Sequence, residues 1–256
     1  MRVFKILFVI IFLFSIKSFG TAQTPDYLIF ENDTLRLHCN PLEEYFKKNP
    51  IPKGLITSFS SANWRGYIAY FKFIDNKLVV ENIYKEEFQK SNSSKFKDSL
   101  ISIYNDVFGL NTNFKCDFYT GLLVCPHGKL LEYVHMGYSS LYENYKLFEI
   151  GSGTMIKSKD FTGEEFQKFK INYYRYYKTT EEYKVKAAEF KKMMLETDAD
   201  VENAIQDIEG KKKRKKKENP YLKQKEAEYK VDKELDNFMF IFLDDYIKTI
   251  EIPKNE

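Results

Sequence analysis

The residues of this chain best suited to catalysis or metal binding are its three histidines and three cysteines. They are His38, His127, His135, Cys39, Cys116 and Cys125. The histidines lack the His-x-x-x-His spacing of a zinc protease, and the cysteines lack the Cys-x-x-Cys spacing of a structural zinc site. A nucleophile and its base need to meet only in space, so Cys125 could still act with His127 or His135. We predict no metal site and no cofactor, and we keep an enzyme only as an alternative hypothesis.

Two of the cysteines are spaced to face each other across a hairpin. If Thr120-Gly121 is a two-residue turn, Cys116 lies opposite Cys125 at a non-hydrogen-bonded position, where Cα atoms are about 4.5 Å apart. A disulfide tolerates that separation. We predict a Cys116–Cys125 bridge with Cys39 left over in the core. The alternative is three reduced cysteines, because a shift of the turn by one residue separates the pair.

Two short motifs place bulky side chains around a glycine. Trp64-Arg65-Gly66-Tyr67 and His135-Met136-Gly137-Tyr138 share this form, and glycine there permits a bulge or a close approach of two backbones. Trp, Arg and Tyr also dominate binding hot spots. The alternative is that these side chains only pack the end of a sheet. We predict a binding site at one sheet edge, formed by Trp64, Arg65, Tyr67, His135, Tyr138 and Tyr142.

These motifs fall in a region whose pattern predicts strands. From Asp26 to about Asp160, short apolar runs alternate with turn residues. The clearest hairpin joins residues 66–73 and 78–83 through Asp75-Asn76. Further strands are predicted at residues 113–118, 122–125, 130–136, 146–150 and 154–157. Apolar side chains at helical spacing predict one helix over residues 94–108. The predicted fold class is α+β, a mainly antiparallel sheet with one covering helix, followed by a helical C-terminal extension.

The last third of the chain is predicted to be this helical extension. After Thr162 turn residues become rare, and helix starts are predicted at Thr197 and at Asn219-Pro220. The last helix carries an apolar stripe, which could dock on the sheet, dock on a preceding helix or form a dimer face. Its members are Leu235, Phe238, Met239, Phe242, Leu243, Tyr246 and Ile250. The predicted domains are a signal peptide at 1–22, a sheet domain at 23–160 and the extension at 161–256.

The amino terminus has the pattern of an export signal. Arg2 and Lys5 precede an apolar run over residues 6–14, which is about half the length that a membrane-spanning helix needs. Gly20 and Ala22 place small residues where a signal peptidase accepts them, so we predict cleavage after Ala22. The alternative is an uncleaved amino-terminal anchor. We expect an exported protein, periplasmic or extracellular.

The charge balance argues against nucleic acid as a partner. Removal of residues 1–22 leaves 37 of the 40 basic residues, against 37 acidic ones, so the mature chain is formally neutral. The run Lys211–Lys217 consists of seven consecutive basic residues. This run is either a solvated segment between helices or a contact with an anionic lipid or polysaccharide surface.

Two hypotheses for the function follow. The first is a non-enzymatic binding module of the cell envelope that takes a protein or glycan through the region of Trp64 and His135. In this hypothesis the helical extension serves oligomerisation or docking. The alternative is an envelope hydrolase acting on glycan or peptide, which needs a pocket that brings His135 to a thiol or to a carboxylate such as Glu143. The sequence leaves the oligomeric state open.

Six motifs, in order along the chain, carry a resemblance to a family. They are Thr24-Pro25-Asp26-Tyr27-Leu28, Asn40-Pro41-Leu42-Glu43, Trp64-Arg65-Gly66-Tyr67, Asp75-Asn76-Lys77-Leu78, Pro126-His127-Gly128-Lys129-Leu130-Leu131 and His135-Met136-Gly137-Tyr138-Ser139-Ser140-Leu141-Tyr142-Glu143. Over residues 24–158 the chain resembles a secreted bacterial family to which no activity is assigned. The resemblance implies an exported, single-domain α+β protein. It does not extend to the helical extension.

Overall fold

The computed structural model describes most of the chain, in two compact units. The described residues are 21–57, 60–89, 97–110, 112–209, 231–232, 234–241 and 243–253, with side chains left out at 88–89, 97–98 and 197–209. The first unit ends at Gly163 and the second begins at Glu164. Residues 1–20 of the predicted signal peptide, the basic run Lys211–Lys217 and the helix start at Asn219-Pro220 lie outside the described residues.

The described strands of the first unit form one sheet. Its elements are β1 (Asp26–Phe30), β2 (Asp33–Leu37), α1 (Leu42–Phe46), β3 (Tyr67–Ile74), β4 (Lys77–Gln89), β5 (Lys97–Ser102), α2 (Tyr104–Phe108), β6 (Phe114–Lys115), β7 (Gly121–Glu132), β8 (Leu141–Gly151) and β9 (Thr154–Thr162). The strands follow the order β2-β1-β3-β4-β9-β8-β7, with β5 and β6 also paired to β4. Neighbours are antiparallel except β1 and β3, which are parallel. This confirms a mixed α and β fold with a mostly antiparallel sheet.

The sheet curves around one apolar core. Leu28 of β1, Phe71 of β3 and Phe148 of β8 are fully buried in it. The backbone N–H of His38, just after β2, donates to the carbonyl of Val124 in β7 at 2.8 Å. The two end strands of the sheet path therefore meet.

Two hairpins match the sequence prediction. In the turn between β3 and β4, Asp75 and Asn76 have φ angles of 47° and 62°, and these two residue types tolerate the left-handed region best after glycine. In the turn between β8 and β9, Ser152 and Gly153 have φ angles of 45° and 73°. The conformations that these turn residues adopt therefore determine how the strands of each hairpin pair.

The helix predicted over residues 94–108 is not found at that length. Lys97–Ser102 pairs with β4 as β5, and only Tyr104–Phe108 is helical. Leu100 and Ile101 are exposed, so the apolar spacing does not correspond to a buried helix face. The long strand β4 offers backbone hydrogen-bond partners to this segment. Pairing with them is more favourable than the helix that the weak apolar pattern predicted.

The hairpin predicted around Thr120-Gly121 is wrong. Strand β6 pairs with β4, through Lys115 and Val79, while β7 pairs with β8. Cys116 therefore does not lie opposite Cys125, and the predicted bridge loses its geometric basis. All three cysteines are described and buried, and no disulfide joins them. The strand predicted at 130–136 is instead the end of β7, which stops at Glu132.

The second unit is helical. Helix α3 spans Gly163–Tyr177 and helix α4 spans Glu181–Glu209; residues 234–241 are helical, and a 3₁₀ turn follows at Leu243–Asp245. Because α4 runs on without a break, the helix start predicted at Thr197 is wrong. Among the described residues no helix is both long and apolar enough to cross a membrane.

The apolar stripe of the last helix packs on the helices that precede it. Phe238 meets Phe190 of α4 edge-on at 4.9 Å, and Tyr246 stacks on Tyr177 of α3 at 5.4 Å between ring centroids. Met239 and Leu243 are fully buried. Of the three predicted placements, the contacts support docking on a preceding helix; Phe242 lies outside the described residues.

Candidate functional site

The candidate site is built on a buried carboxylate at the start of β1. Asp26 shares the core face with Leu28 because side chains two apart on a strand point the same way, and both are fully buried. Its Oδ1 accepts a hydrogen bond from the backbone N–H of Ala69 in β3 at 2.9 Å, and its Oδ2 lies 3.4 Å from Nη1 of Arg65. Asp26 thus ties the first strand to β3 and to the segment before it.

Arg65 and Tyr138 meet at a single backbone carbonyl. Nη2 of Arg65 donates to the carbonyl of Thr24 at 2.8 Å, and the hydroxyl of Tyr138 reaches the same oxygen at 3.2 Å. The Tyr138 hydroxyl also lies 2.8 Å from Oδ1 of Asn40. The two glycine motifs of the sequence are therefore brought together through residues at the amino-terminal end of β1.

Further aromatic residues surround this junction. The guanidinium of Arg65 lies 5.3 Å from the ring centroid of Tyr67, and the hydroxyl of Tyr67 donates to Glu43 at 2.6 Å. The imidazole of His38 stacks on Tyr138 at 5.0 Å and meets Tyr142 edge-on at 5.5 Å. The site interior is a connected network of rings and hydrogen bonds, a setting typical of a rigid support.

Three segments share this support, and together we call them the three-loop surface: residues 23–24, 60–66 and 133–140. The N–H of Thr24 donates to the carbonyl of Ala62 at 2.7 Å, and the N–H of Gln23 donates to the carbonyl of Gly137 at 3.1 Å. Residues 23–24 therefore lie between the other two loops and bond to both.

Trp64 is an exposed aromatic residue of this surface. Its side chain is 59% exposed, whereas its neighbours Asn63 and Arg65 are 0% and 6% exposed. The loop turns tightly here, since Asn63 donates to Ser60 at 3.0 Å and Gly66 donates to Asn63 at 3.1 Å. A large aromatic ring thus faces solvent from a turn that is anchored on both sides.

The histidine of the second motif is not assembled into a catalytic pair. His135 is exposed, and its Nδ1 lies 2.8 Å from the hydroxyl of Tyr133. Glu143, the carboxylate that a hydrolase would need beside it, instead accepts from the backbone N–H of Lys129 at 3.2 Å. Burial raises the pKa of the Cys125 thiol well above its ordinary value, which disfavours the thiolate that a nucleophile requires.

Burial also dominates the electrostatics of Asp26. Loss of solvent raises the pKa of its carboxyl to about 6, while the Arg65 guanidinium and the Ala69 N–H oppose that rise. Burial is the largest single influence on the pKa of Arg65 and acts to lower it, but Asp26 together with Tyr138, Tyr67 and Glu43 outweighs burial, and the net direction is upward. The arginine therefore keeps its charge, and the carboxyl is the group of this pair that titrates.

Two cavities of the first unit bear on the candidate residues. One, of about 210 Å³, is lined by Ile51, Pro52, Lys53, Gly54, Ile56 and Arg65. The other, of about 230 Å³, is lined by Phe30, Glu31, Asp33, Leu35, His127, Lys146 and Asp160. His135 lines neither cavity. Over the part of the chain that the structure describes, no group of three or more His, Cys, Asp or Glu side chains is arranged to hold a metal ion.

The six predicted site residues thus divide by position. The buried Arg65 and Tyr67 and the half-buried Tyr138 form the support, and Tyr142 touches it through His38. Trp64 and His135 are exposed on two of the three loops. Their role in binding stays a prediction.

Sequence reasoning missed Asp26, although a signal was present. An acidic residue next to Pro25 suggests a turn, but the strand alternation through Leu28 and Phe30 places position 26 on the core face. A carboxylate there requires a partner, and Arg65 is that partner. Asn40 and Glu43 had no such signal, because their contacts depend on tertiary placement.

Comparison with known proteins adds no relative: no family model, no curated protein and no solved structure matches the chain. The resemblance to a secreted family therefore stays a prediction.

Proposed function

We propose that this protein is an exported, non-enzymatic binding module of the cell envelope, which recognises a protein or glycan partner through Trp64 on the three-loop surface. One observation carries the proposal: Trp64 is 59% exposed between two buried residues. Tryptophan is the residue type most enriched in binding hot spots. Exposure of its large apolar surface to water costs free energy that a partner would recover.

The support beneath Trp64 favours binding over a purely structural role. A loop that is already ordered before association loses less conformational entropy on binding. The turn at residues 60–66 is held by hydrogen bonds from Thr24 and by the Arg65 side chain. Packing of the sheet end needs Arg65, Tyr67 and Tyr138, but it does not need an exposed indole one residue before Arg65.

The alternative hydrolase finds less support. Its requirement was a pocket joining His135 to a thiol or to Glu143, whereas His135 lies beside Tyr133 and Glu143 lies beside Lys129. A general base must come within hydrogen-bonding reach of its partner. The contacts of His135 therefore favour a surface role.

Export rests on the amino-terminal sequence. Arg2, Lys5 and the apolar run at 6–14 have the order of a signal peptide, and Ala22 precedes the proposed cleavage point. Protein recovered from the envelope fraction is then expected to begin at Gln23. A chain that still begins at Met1 would support the anchor instead.

The proposal is tested with Trp64→Ala and a matched control. Ile156, on β9, is 61% exposed, so Ile156→Ala removes a similarly exposed apolar side chain away from the three-loop surface. Wild type and both variants, each folded by circular dichroism, are used as bait against envelope extract, and the retained partner is then titrated. We expect the Trp64 variant to weaken binding by tenfold or more, which corresponds to at least about 1.4 kcal/mol, and the control to bind as wild type.

Equal binding by all three proteins would show that the three-loop surface is not the binding site. Equal loss in both variants would show that any exposed apolar side chain contributes, which is the behaviour of nonspecific adhesion.

A further inference from the structure

A second group of aromatic side chains lies on the sheet face opposite the core. Leu28, Ala69 and Ile83 are fully buried, and each is next in sequence to a half-buried tyrosine: Tyr27, Tyr70 and Tyr84. Because neighbouring residues on a strand point to opposite faces, these three tyrosines project from the outer face. We call them the tyrosine row.

The register of the strands places the row in line. Tyr27 of β1 is the direct partner of Tyr70 on β3 and, on its other side, of Arg36 on β2. Tyr70 is in turn the partner of Asn82 on β4. Four adjacent strands thus contribute Arg36, Tyr27, Tyr70 and Asn82 to one line across the sheet, with Tyr84 beside it.

The rings of the row are in contact. Tyr27 and Tyr70 stack with centroids 4.9 Å apart and an angle of 21° between their planes, and Tyr84 meets Tyr70 edge-on at 5.4 Å. Both arrangements are favourable for aromatic pairs. The rings therefore hold one another in place and form a pre-ordered surface.

Hydrogen bonds fix the polar end of the row. The amide of Asn82 donates from Nδ2 to the hydroxyl of Tyr84 at 2.9 Å, and its Oδ1 accepts from Ser102 Oγ at 2.7 Å and from the N–H of Ile83 at 2.8 Å. With its lone pair engaged by Asn82, the Tyr84 hydroxyl is left to donate its proton. The Tyr84 hydroxyl is therefore an oriented hydrogen-bond donor at this end of the tyrosine row.

A cation stands at the other end. Arg36 is exposed, whereas Lys72 of β3 and Glu81 of β4 pair with each other at 2.5 Å. The Arg36 guanidinium therefore supplies a positive charge at this end of the row, and a guanidinium can take a carboxylate with two parallel hydrogen bonds.

We propose that the tyrosine row and Arg36 bind an acidic glycan, a chain of sugar rings that carries carboxylates. The apolar C–H faces of sugar rings pack on aromatic side chains, their hydroxyl groups pair with groups such as Tyr84 and Asn82, and Arg36 takes the carboxylate. A stable protein interface needs about 800 Å² on each partner with an apolar centre, and three half-buried tyrosines between charged residues form a smaller and more polar surface.

The test is affinity electrophoresis of the mature protein in native gels that contain polygalacturonate, with dextran, a neutral glucan, as comparison. Wild type is expected to be retarded by polygalacturonate and much less by dextran. Tyr70→Ala should weaken the affinity for polygalacturonate about tenfold, while Tyr70→Phe, which keeps the ring, should bind as wild type. Arg36→Gln, at an exposed position, should abolish the preference for the acidic polymer.

One control variant and Trp64→Ala show whether retardation depends on the tyrosine row itself. Ile156→Ala removes an exposed apolar side chain outside both surfaces and should leave retardation unchanged. If Trp64→Ala loses retardation while Tyr70→Ala keeps it, the polymer binds the three-loop surface, and the tyrosine row is overturned as its site. The proposal is overturned if wild type is not retarded by polygalacturonate, or if folded Arg36→Gln keeps the wild-type preference.

Discussion

Asp26 illustrates how a single buried charge organises the end of a sheet. Its two carboxylate oxygens reach the backbone of β3 and the guanidinium of Arg65, and Arg65 in turn reaches the carbonyl of Thr24. An isolated buried carboxylate is expensive, and a partner with good hydrogen bonds makes it tolerable. Removal of either partner leaves the other charge buried and uncompensated, so the pair acts as one unit.

The shifted pKa of Asp26 makes stability depend on pH. Burial raises the pKa of the carboxyl from 3.8 to about 6, so the folded protein holds this proton more tightly than the unfolded chain does. The resulting stabilisation is complete below pH 4 and is lost as the pH rises through 6, by up to about 3 kcal/mol. Urea unfolding at pH 5 and pH 7.5 should therefore give a lower free energy of unfolding at the higher pH.

The variant Asp26→Asn isolates this effect from the other titrating groups of the chain. The asparagine keeps an acceptor for the Ala69 N–H but has no proton to lose in this range. The difference in free energy of unfolding between the two proteins should fall as the pH rises from 4 to 6 and stay constant above that range. Parallel profiles would show that Asp26 does not titrate there.

For individual residues, the sequence indicated which side chains belong to the candidate site better than it indicated what each of them does there. Trp64, Arg65 and Tyr138 stood out because their side chains are large and lie beside glycines, and the structure joins Arg65 and Tyr138 at one carbonyl. Their division into a buried support and an exposed ring could not be predicted, since exposure depends on which loops pack against them. The tyrosine row was missed because its members lie in three separate strands and meet only through the register.

Among the elements, local signals succeeded where the turn itself sets the register. Asp75-Asn76 fixes the hairpin of β3 and β4 through φ angles that few other residues adopt. The signals failed for Lys97–Ser102 and Phe114–Lys115, which both pair with β4. Those pairings join segments that are far apart in the sequence. The residue pattern within each segment therefore does not indicate which strand it pairs with.

Gly153 offers a direct test of the turn between β8 and β9. Its φ angle is 73°, and a Cβ atom there would lie 2.7 Å from the carbonyl oxygen of Cys116 and 2.9 Å from the Cα of Asp117. Backbone atoms cannot move aside cheaply, so Gly153→Ala should lower the free energy of unfolding by about 3 kcal/mol or more. Urea unfolding monitored by circular dichroism measures the change.

Gly54→Ala is the matched control for Gly153. Gly54 also has a positive φ angle, 82°, but a Cβ atom at this residue would have nothing within 4 Å of it. Only the backbone strain remains, so we expect a loss of about 1 kcal/mol. Equal losses in the two variants would contradict the predicted clash with Cys116.

The whole molecule consists of two units, each with its own buried side chains. In the first unit the core includes Leu28, Phe71 and Phe148, and in the second Met239 and Leu243 are fully buried. The change from turn-rich to turn-poor sequence near residue 160 indicated where strands give way to helices, because turn residues punctuate hairpins more often than long helices. The aromatic contacts of Tyr177 with Tyr246 and of Phe190 with Phe238 show why the apolar stripe of the last helix needed a partner.

A unit with a complete core should fold without the rest of the chain. We expect the fragment 21–163 to unfold cooperatively in urea, with the near-ultraviolet circular dichroism of fixed aromatic packing. A fragment ending at Gly153 lacks β9, the strand between β4 and β8 in the sheet, so it should not fold, because β8 then loses its partner on that side. If the longer fragment instead gives a broad transition without a near-ultraviolet signal, the sheet unit depends on the helical unit, and the chain must be treated as one cooperative domain.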